Sequence, residues 1–189
     1  MANLIIAGIG GQGINRLARV IAECCRDAGL QCQYTVHKGG AQTLGSVYAE
    51  IRTNRLKRST LGPGIPAGSL DGLVALDPWE ALRHLPLAHR ATPVWVESET
   101  QPLFRDRTAT GQLPIEALSP VDQLNSLPIP IHWKGYRKLA LKRTGDVRMA
   151  NYFAGLDSLS ALNLSDRPRY HEIFYQEIAG AAALLPETA

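Results

Sequence analysis

The chain opens on Leu4 to Ala7, a short uninterrupted apolar run of the kind a parallel strand carries when both of its faces are covered. From Gln12 the period changes. Ile14, Leu17, Ala18, Ile21, Ala22, Cys25 and Ala28 recur at helical spacing, with Arg16, Arg19, Glu23, Arg26 and Asp27 on the other side, and predict an amphipathic helix laid on a sheet. Gly29 follows as a residue able to take left-handed dihedrals just past the last turn. Alternation over Gln31–His37 predicts a second strand, completing a strand–helix–strand opening. Val47, Ala49 and Ile51, alternating with Ser46, Tyr48, Glu50 and Arg52, predict a third.

Further strands are expected at Leu73–Leu76, Pro93–Glu97 and Ile129–Trp133, and helices from Pro78 through Leu85 and over Pro120–Leu127. Lys134, Lys138 and Lys142 repeat every four residues on a basic helix whose apolar side is read as Leu139 and Leu141. Two more helices follow, one carrying Met149, Tyr152, Phe153, Leu156, Leu159 and Leu162, the other Tyr170, Ile173, Phe174, Ile178, Ala181 and Leu185. Gly62–Gly68 and Thr100–Pro114 read as loop and surface excursion. Together these predict an α/β fold: a doubly wound, mainly parallel sheet with helices on both faces and a helical C-terminal end, organised as a single domain over 1–189.

The turn after the first strand carries the first chemical signal. Gly8, Gly10 and Gly13 fit G-x-G-x-x-G, with Gly11 and Gln12 between them, as in Rossmann-like folds. Glycines there permit a tight turn and close approach of a ligand, and the unpartnered N–H groups at the new helix can hold an anion. The same pattern also serves a turn with no ligand at all. A dinucleotide enzyme places an acid at the end of the second strand to grip the ribose, and this chain has Thr35-Val36-His37-Lys38 instead, which demotes nicotinamide binding. Lys38 is either a solvated lysine or a partner for a 2′-phosphate. A second polar loop, His37 to Val47, holds Gly39, Gly40, Gln42, Gly45 and Ser46, and is expected at the carboxyl ends of the strands, as a ligand loop or a connector.

Composition narrows the classes. Net charge is +3 with both signs interleaved, so no nucleic-acid partner is expected from bulk charge. No leader segment and no apolar run of about 20 residues is found, which predicts a cytoplasmic protein away from the membrane. Cys24, Cys25 and Cys32 lack the C-x-x-C spacing of an iron–sulfur ligand set, so buried free thiols are expected and no cluster on this chain alone. His84 and His89 are five apart and His132 and His171 lie on separate elements, so no metal site is expected. Glu97 and Glu99 end a strand without an assignable use, and no catalytic residue is named. The basic clusters at Arg55, Lys57 and Arg58 and around Lys134–Arg143 read either as solvated surface or as contacts to a partner or phosphate.

Gly8-Ile-Gly-Gly-Gln-Gly13 after an opening strand, followed by the Gly39–Val47 loop, resembles the gamma-type domain of the 2-oxoacid:ferredoxin oxidoreductases, above all the indolepyruvate oxidoreductase beta-subunit family. That family typically shows Gly-Met-Ala-Gln-Arg-Gly-Gly-Ser-Val in the second loop. The likeness continues through Asp71-Gly-Leu-Val-Ala-Leu-Asp-Pro-Trp-Glu-Ala-Leu82 and through Gly145–Leu162 with Asn151 and Gly155, covering almost the whole chain. Gly40 stands where the family has Met, Thr43 where it has Arg, and Leu44 where it has Gly. Loss of that arginine predicts an altered substrate choice, or chemistry moved elsewhere on a kept architecture.

The resemblance implies a subunit of a complex that oxidatively decarboxylates a 2-oxoacid such as indolepyruvate to an acyl-CoA. Thiamine diphosphate and 4Fe-4S clusters would sit on a larger partner subunit, with ferredoxin as the acceptor. This chain would help close the active site and bind coenzyme A or substrate, inactive alone and able to form a homodimer. Expected ligand contacts are Gly8, Gly10, Gly11, Gln12, Gly13, Gln42, Gly45 and Ser46. The other classes left open are a stand-alone NAD(P)-dependent oxidoreductase and a non-catalytic assembly domain.

Overall fold

The computed structural model describes residues 1–39, 45–55, 64–99, 119–165 and 167–179. In chain order the elements are β1 (Ala2–Ile9), α1 (Ile14–Asp27), β2 (Gln31–Lys38), β3 (Ser46–Asn54), β4 (Gly72–Ala75), α2 (Pro78–His84), β5 (Val94–Glu97), α3 (Pro120–Asn125), β6 (Ile131–Lys134), α4 (Tyr136–Thr144), α5 (Ala150–Ala161) and α6 (Pro168–Ala179). Short 3₁₀ turns occupy Leu85–Leu87 and Val147–Met149.

The described strands form a sheet in the order β2-β3-β1-β4-β5-β6. β1, β4, β5 and β6 run parallel, whereas β3 is antiparallel to both of its neighbours, β1 and β2. The sheet is therefore mixed but mostly parallel, as expected, with one correction. β2 does not lie beside β1, because it returns through β3, and this hairpin inserts β3 against β1 with Ile9 opposite Ser46.

Both faces are covered, which explains the unbroken apolar runs. Leu4 and Ile6 of β1 and Val74 of β4 pack into one core with α1, α4, α5 and α6. Ile5, Ala7, Leu73 and Ala75 point the other way, into a second core with α2 and α3. The helix after β1 thus leaves to one face and the helix after β4 to the other. The rim between β1 and β4 is a topological switch point, the place where open α/β sheets leave a crevice.

α1 buries Val20 and Cys24 as well as the predicted stripe, because α6 covers its outer flank and fixes it further through Arg19 on Glu177 at 2.9 Å. Cys24 and Cys25 are buried free thiols and Cys32 is half-buried. Burial pushes the Cys24 thiol up to about 12, and a hydrogen bond to Cys32 with burial raises Cys25.

Three helical expectations are corrected. Lys134 belongs to β6, not to the basic helix, and its ammonium rests on Asp157 at 3.2 Å. In α4 the buried residues are Tyr136 and Ala140, while Leu139 and Leu141 are 38% and 60% exposed. Tyr136 sets this orientation by sending its hydroxyl to Asp157 at 2.6 Å.

α5 buries a stripe of small residues, Ala150, Ala154, Gly155 and Ser158, with Leu159, and leaves Tyr152, Phe153 and Leu156 half-buried. The reason is close approach. A Cβ on Gly72 would lie 2.6 Å from that of Ala161, and a Cβ on Gly155 would run into the ring of Phe174. The Thr100–Pro114 excursion, Lys57, Arg58, Ala181 and Leu185 lie outside the described residues.

Gly155→Val should therefore cost about 1–3 kcal/mol, as overpacking of a filled core does, read as a lower urea midpoint at unchanged slope. An unchanged midpoint would show that α6 is not seated on α5 through Phe174.

Candidate functional site

β1 ends at Ile9, and the chain turns through Gly10-Gly11-Gln12-Gly13 into α1. Gly11 and Gly13 hold φ of +98° and +77°, a region where any side chain is strained. Gln12 turns inward. Its Oε1 accepts from the Ile9 N–H at 2.7 Å and its Nε2 donates to the Leu76 carbonyl at 3.1 Å, so one amide splints the ends of β1 and β4 together. Gly8 makes room for it, since a Cβ there would strike the Gln12 amide oxygen. From α5, Asn151 Nδ2 donates to the Gln12 carbonyl at 2.8 Å and locks the turn from the other side.

Above this turn opens a crevice of about 550 Å³, bounded by Gly10–Gly13 and Arg16, by Leu76 and Glu97 at the ends of β4 and β5, and by Arg137, Arg148 and Asn151. The first helical bond of α1 runs from Leu17 N–H to Gly13 carbonyl at 3.0 Å, so the N–H groups ahead of it have no helix partner; that of Gln12 donates back to the Ile9 carbonyl at 3.0 Å, and the first turn holds no acid. Arg148 is paired with Asp146 at 2.6 Å, whereas Arg16 and Arg137 have no ion-pair partner among the described residues.

Glu97, 1% exposed, accepts from the Arg137 N–H at 3.1 Å and the Glu99 N–H at 3.2 Å. It does the work of a cap for α4, whose own N-cap Gly135 has no side chain, and so presents Arg137 to the crevice. The site can hold an anion: backbone donors, a helix start and cationic guanidinium groups converge on it.

The described flanks of the second glycine loop, Gly39, Gly45 and Ser46, reach the same rim. Gly10 N–H donates to the Gly45 carbonyl at 2.8 Å, and Gly39 N–H to the Ser46 carbonyl at 2.7 Å. The Ser46 hydroxyl donates to buried Glu80 of α2 at 2.6 Å. Tyr48 stacks on His37, at 4.5 Å, and meets His84 at 4.4 Å with the rings tilted by 53°. His84 is 5% exposed and its Nε2 has no hydrogen-bond partner among the described residues. Burial, with Arg83 and His37 adding, pushes it down to about 4.

With the crevice defined, comparisons with known proteins place the chain. The sequence pattern of the family described as pyruvate ferredoxin/flavodoxin oxidoreductase matches residues 3–177. The chain belongs to this family. It is 35% identical over 92 residues to the indolepyruvate oxidoreductase subunit IorB of Archaeoglobus fulgidus, a match covering 49% of this chain and 44% of that relative. The chain thus spans less than half the length of that relative.

The fold is similar to that of the keto/oxoacid ferredoxin oxidoreductase gamma subunit from Geobacter sulfurreducens, at a TM-score of 0.58 and 15% identity over 95% of both chains. It is also similar to part of the 2-oxoglutarate:ferredoxin oxidoreductase of Magnetococcus marinus, at a TM-score of 0.57 and 13% identity, covering 94% of this chain and 30% of that one. No helix among the described residues is long and apolar enough to cross a membrane.

In this oxidoreductase-family chain, Gly10, Gly11, Gln12 and Gly13 line the crevice, with the Gln12 side chain engaged inside the protein. Gly8 lies beneath the turn, and Gly45 and Ser46 brace it without lining it. Gln42, Gly40, Thr43 and Leu44 lie outside the described residues. Sequence reading missed Arg16, Glu97 and Arg137 as crevice residues. Arg16 sits three residues past the last glycine, a spacing that places it on the first helical turn, but periodicity alone reads it as solvated surface. Asn151 was visible only as part of the resemblance.

The buried imidazole predicts a pH dependence. In the unfolded chain His84 binds a proton near pH 6.5, and in the folded chain only near 4, so the unfolded state binds more protons between them. Stability should fall as pH drops from about 6.5 to about 4 and level off below. His84→Phe, keeping a ring against Tyr48, should flatten that fall in chemical denaturation curves; an identical pH profile in the variant would assign the dependence to other groups.

Proposed function

We propose that this chain is the small subunit of a 2-oxoacid:ferredoxin oxidoreductase of the indolepyruvate type, and that the crevice at the β1–β4 switch point holds an anionic group of coenzyme A or of the oxoacid. Family membership supports the complex, and Arg16 and Arg137, without an ion-pair partner among the described residues and beside a helix start free of acids, carry the assignment of the crevice. The Magnetococcus relative is described with 2-oxoglutarate, coenzyme A and succinyl-CoA bound, in keeping with such a ligand.

In this reading thiamine diphosphate and the 4Fe-4S clusters reside on a larger subunit, and ferredoxin accepts the electrons. The thiamine cofactor supplies the carbanion chemistry of decarboxylation. This chain's own contribution is binding and orientation. The N–H groups of Gly11 and Gly13 and the Arg16 guanidinium take one end of a phosphate or carboxylate, Arg137 and Arg148 the other. Glu97 and Asn151 keep those donors in place before the ligand arrives, so that little ordering cost falls on binding. The chain is inactive alone and works in the cytoplasm, in keeping with its buried free thiols.

The test uses the co-expressed complex and titration calorimetry with coenzyme A and with the oxoacid. Arg16→Ala and Arg137→Ala should each weaken one of these ligands by about tenfold, equivalent to ~1.4 kcal/mol, and more steeply at low salt. Wild-type affinities retained by both variants would remove the crevice from ligand binding.

A further inference from the structure

α4 faces solvent in a way a helix of a finished surface does not. Its buried side consists of Tyr136 and Ala140, while Leu139 and Leu141 point outward on its two flanks, 38% and 60% exposed. Val147, on the following turn, is 43% exposed and lines the crevice. Spacing puts Leu141 one turn beyond Arg137 on the same side of the helix, so Leu141 and Val147 flank the crevice wall that Arg137 forms.

The charge around these apolar residues is one-sided. From Arg137 to Arg148 the sequence holds five basic residues and a single acid, Asp146, which is a larger local excess than the whole chain's +3. Lys138 is paired with Glu99 at 3.0 Å and Arg148 with Asp146, whereas Arg137, Lys142 and Arg143 have no ion-pair partner among the described residues.

We infer that the outer face of α4, with the turn that follows it, is a docking surface for an acidic face of the larger subunit. This rests on the reading of the chain as part of a complex. Cations without an ion-pair partner among the described residues, set around exposed leucines, fit a protein surface that offers carboxylates around an apolar centre, because such pairing orients the encounter while the apolar contacts hold it. A nucleic acid needs phosphate contacts but has no use for the leucines, and a membrane surface needs one continuous apolar stripe, whereas Leu139 and Leu141 lie on opposite flanks. Because Arg137 belongs to α4 and to the crevice alike, a subunit docked there covers the mouth of the crevice and shuts water out of it.

The experiment co-expresses the full chain with the larger subunit and measures their association by calorimetry and gel filtration at low and high salt. The double variant Lys142→Glu/Arg143→Glu and the single variant Leu141→Glu, all at exposed positions, should keep the wild-type melting temperature and weaken association at least tenfold. The wild-type complex should loosen as salt rises. Double and single variants that associate as tightly as wild type would overturn the surface while leaving the complex standing. A wild-type chain that does not associate at all would overturn the complex and the surface together. Binding of the chain to vesicles of one-third phosphatidylserine, lost in the same variants, would overturn the protein partner in favour of a membrane.

Discussion

Everything at the functional end of this molecule depends on the amide of Gln12. Two strands that send their helices to opposite faces of a sheet leave a gap at their ends, and a gap lined with free backbone groups closes or fills with water unless something holds its sides. Gln12 does so with one side chain, accepting from Ile9 and donating to Leu76. The glycines around it follow from that arrangement. Gly8 makes room for the amide, Gly11 and Gly13 take the backbone through left-handed dihedrals, and Asn151 fastens the turn to α5. The turn is rigid because buried polar groups in it find partners inside the protein.

A fixed turn makes the electrostatics useful. Backbone N–H groups and guanidinium groups bind an anion well when they are already aimed and need not be gathered. Glu97 extends the same logic, since a buried carboxylate that receives the Arg137 N–H both starts α4 and positions its arginine. The site is thus built from both sides of the switch point, by α1 from one strand and by α4 and α5 from the other half of the chain.

The main architecture was legible because it follows from period and turn chemistry. The apolar run at Leu4–Ala7, the helical stripe of α1 and the glycine turn between them need only local sequence to be read, and the structure has all three. The insertion of β3 beside β1 was not legible, because a strand's neighbour is set by pairing across the sheet, and the βαβ pattern favours the wrong one. The facing of α4 was missed for a related reason. Leucines are read as buried by default, but here a phenol hydrogen-bonded to Asp157 chooses the inner side. In α5 close packing on Gly72 selects small residues, so the buried stripe is Ala, Gly and Ser rather than the larger apolar side chains. Periodicity put Arg16 and Arg137 only on polar helix faces and could not bring them to one crevice, since their role exists only once distant elements meet.

The central claim is that the crevice beside the Gly10–Gly13 turn is where a ligand's anionic group sits. Crystals of the assembled complex grown with coenzyme A and oxoacid test it most directly. The account predicts a phosphate or carboxylate against the N–H groups of Gly11 and Gly13 within reach of Arg16. Both ligands bound elsewhere, with the turn facing only water, would contradict it.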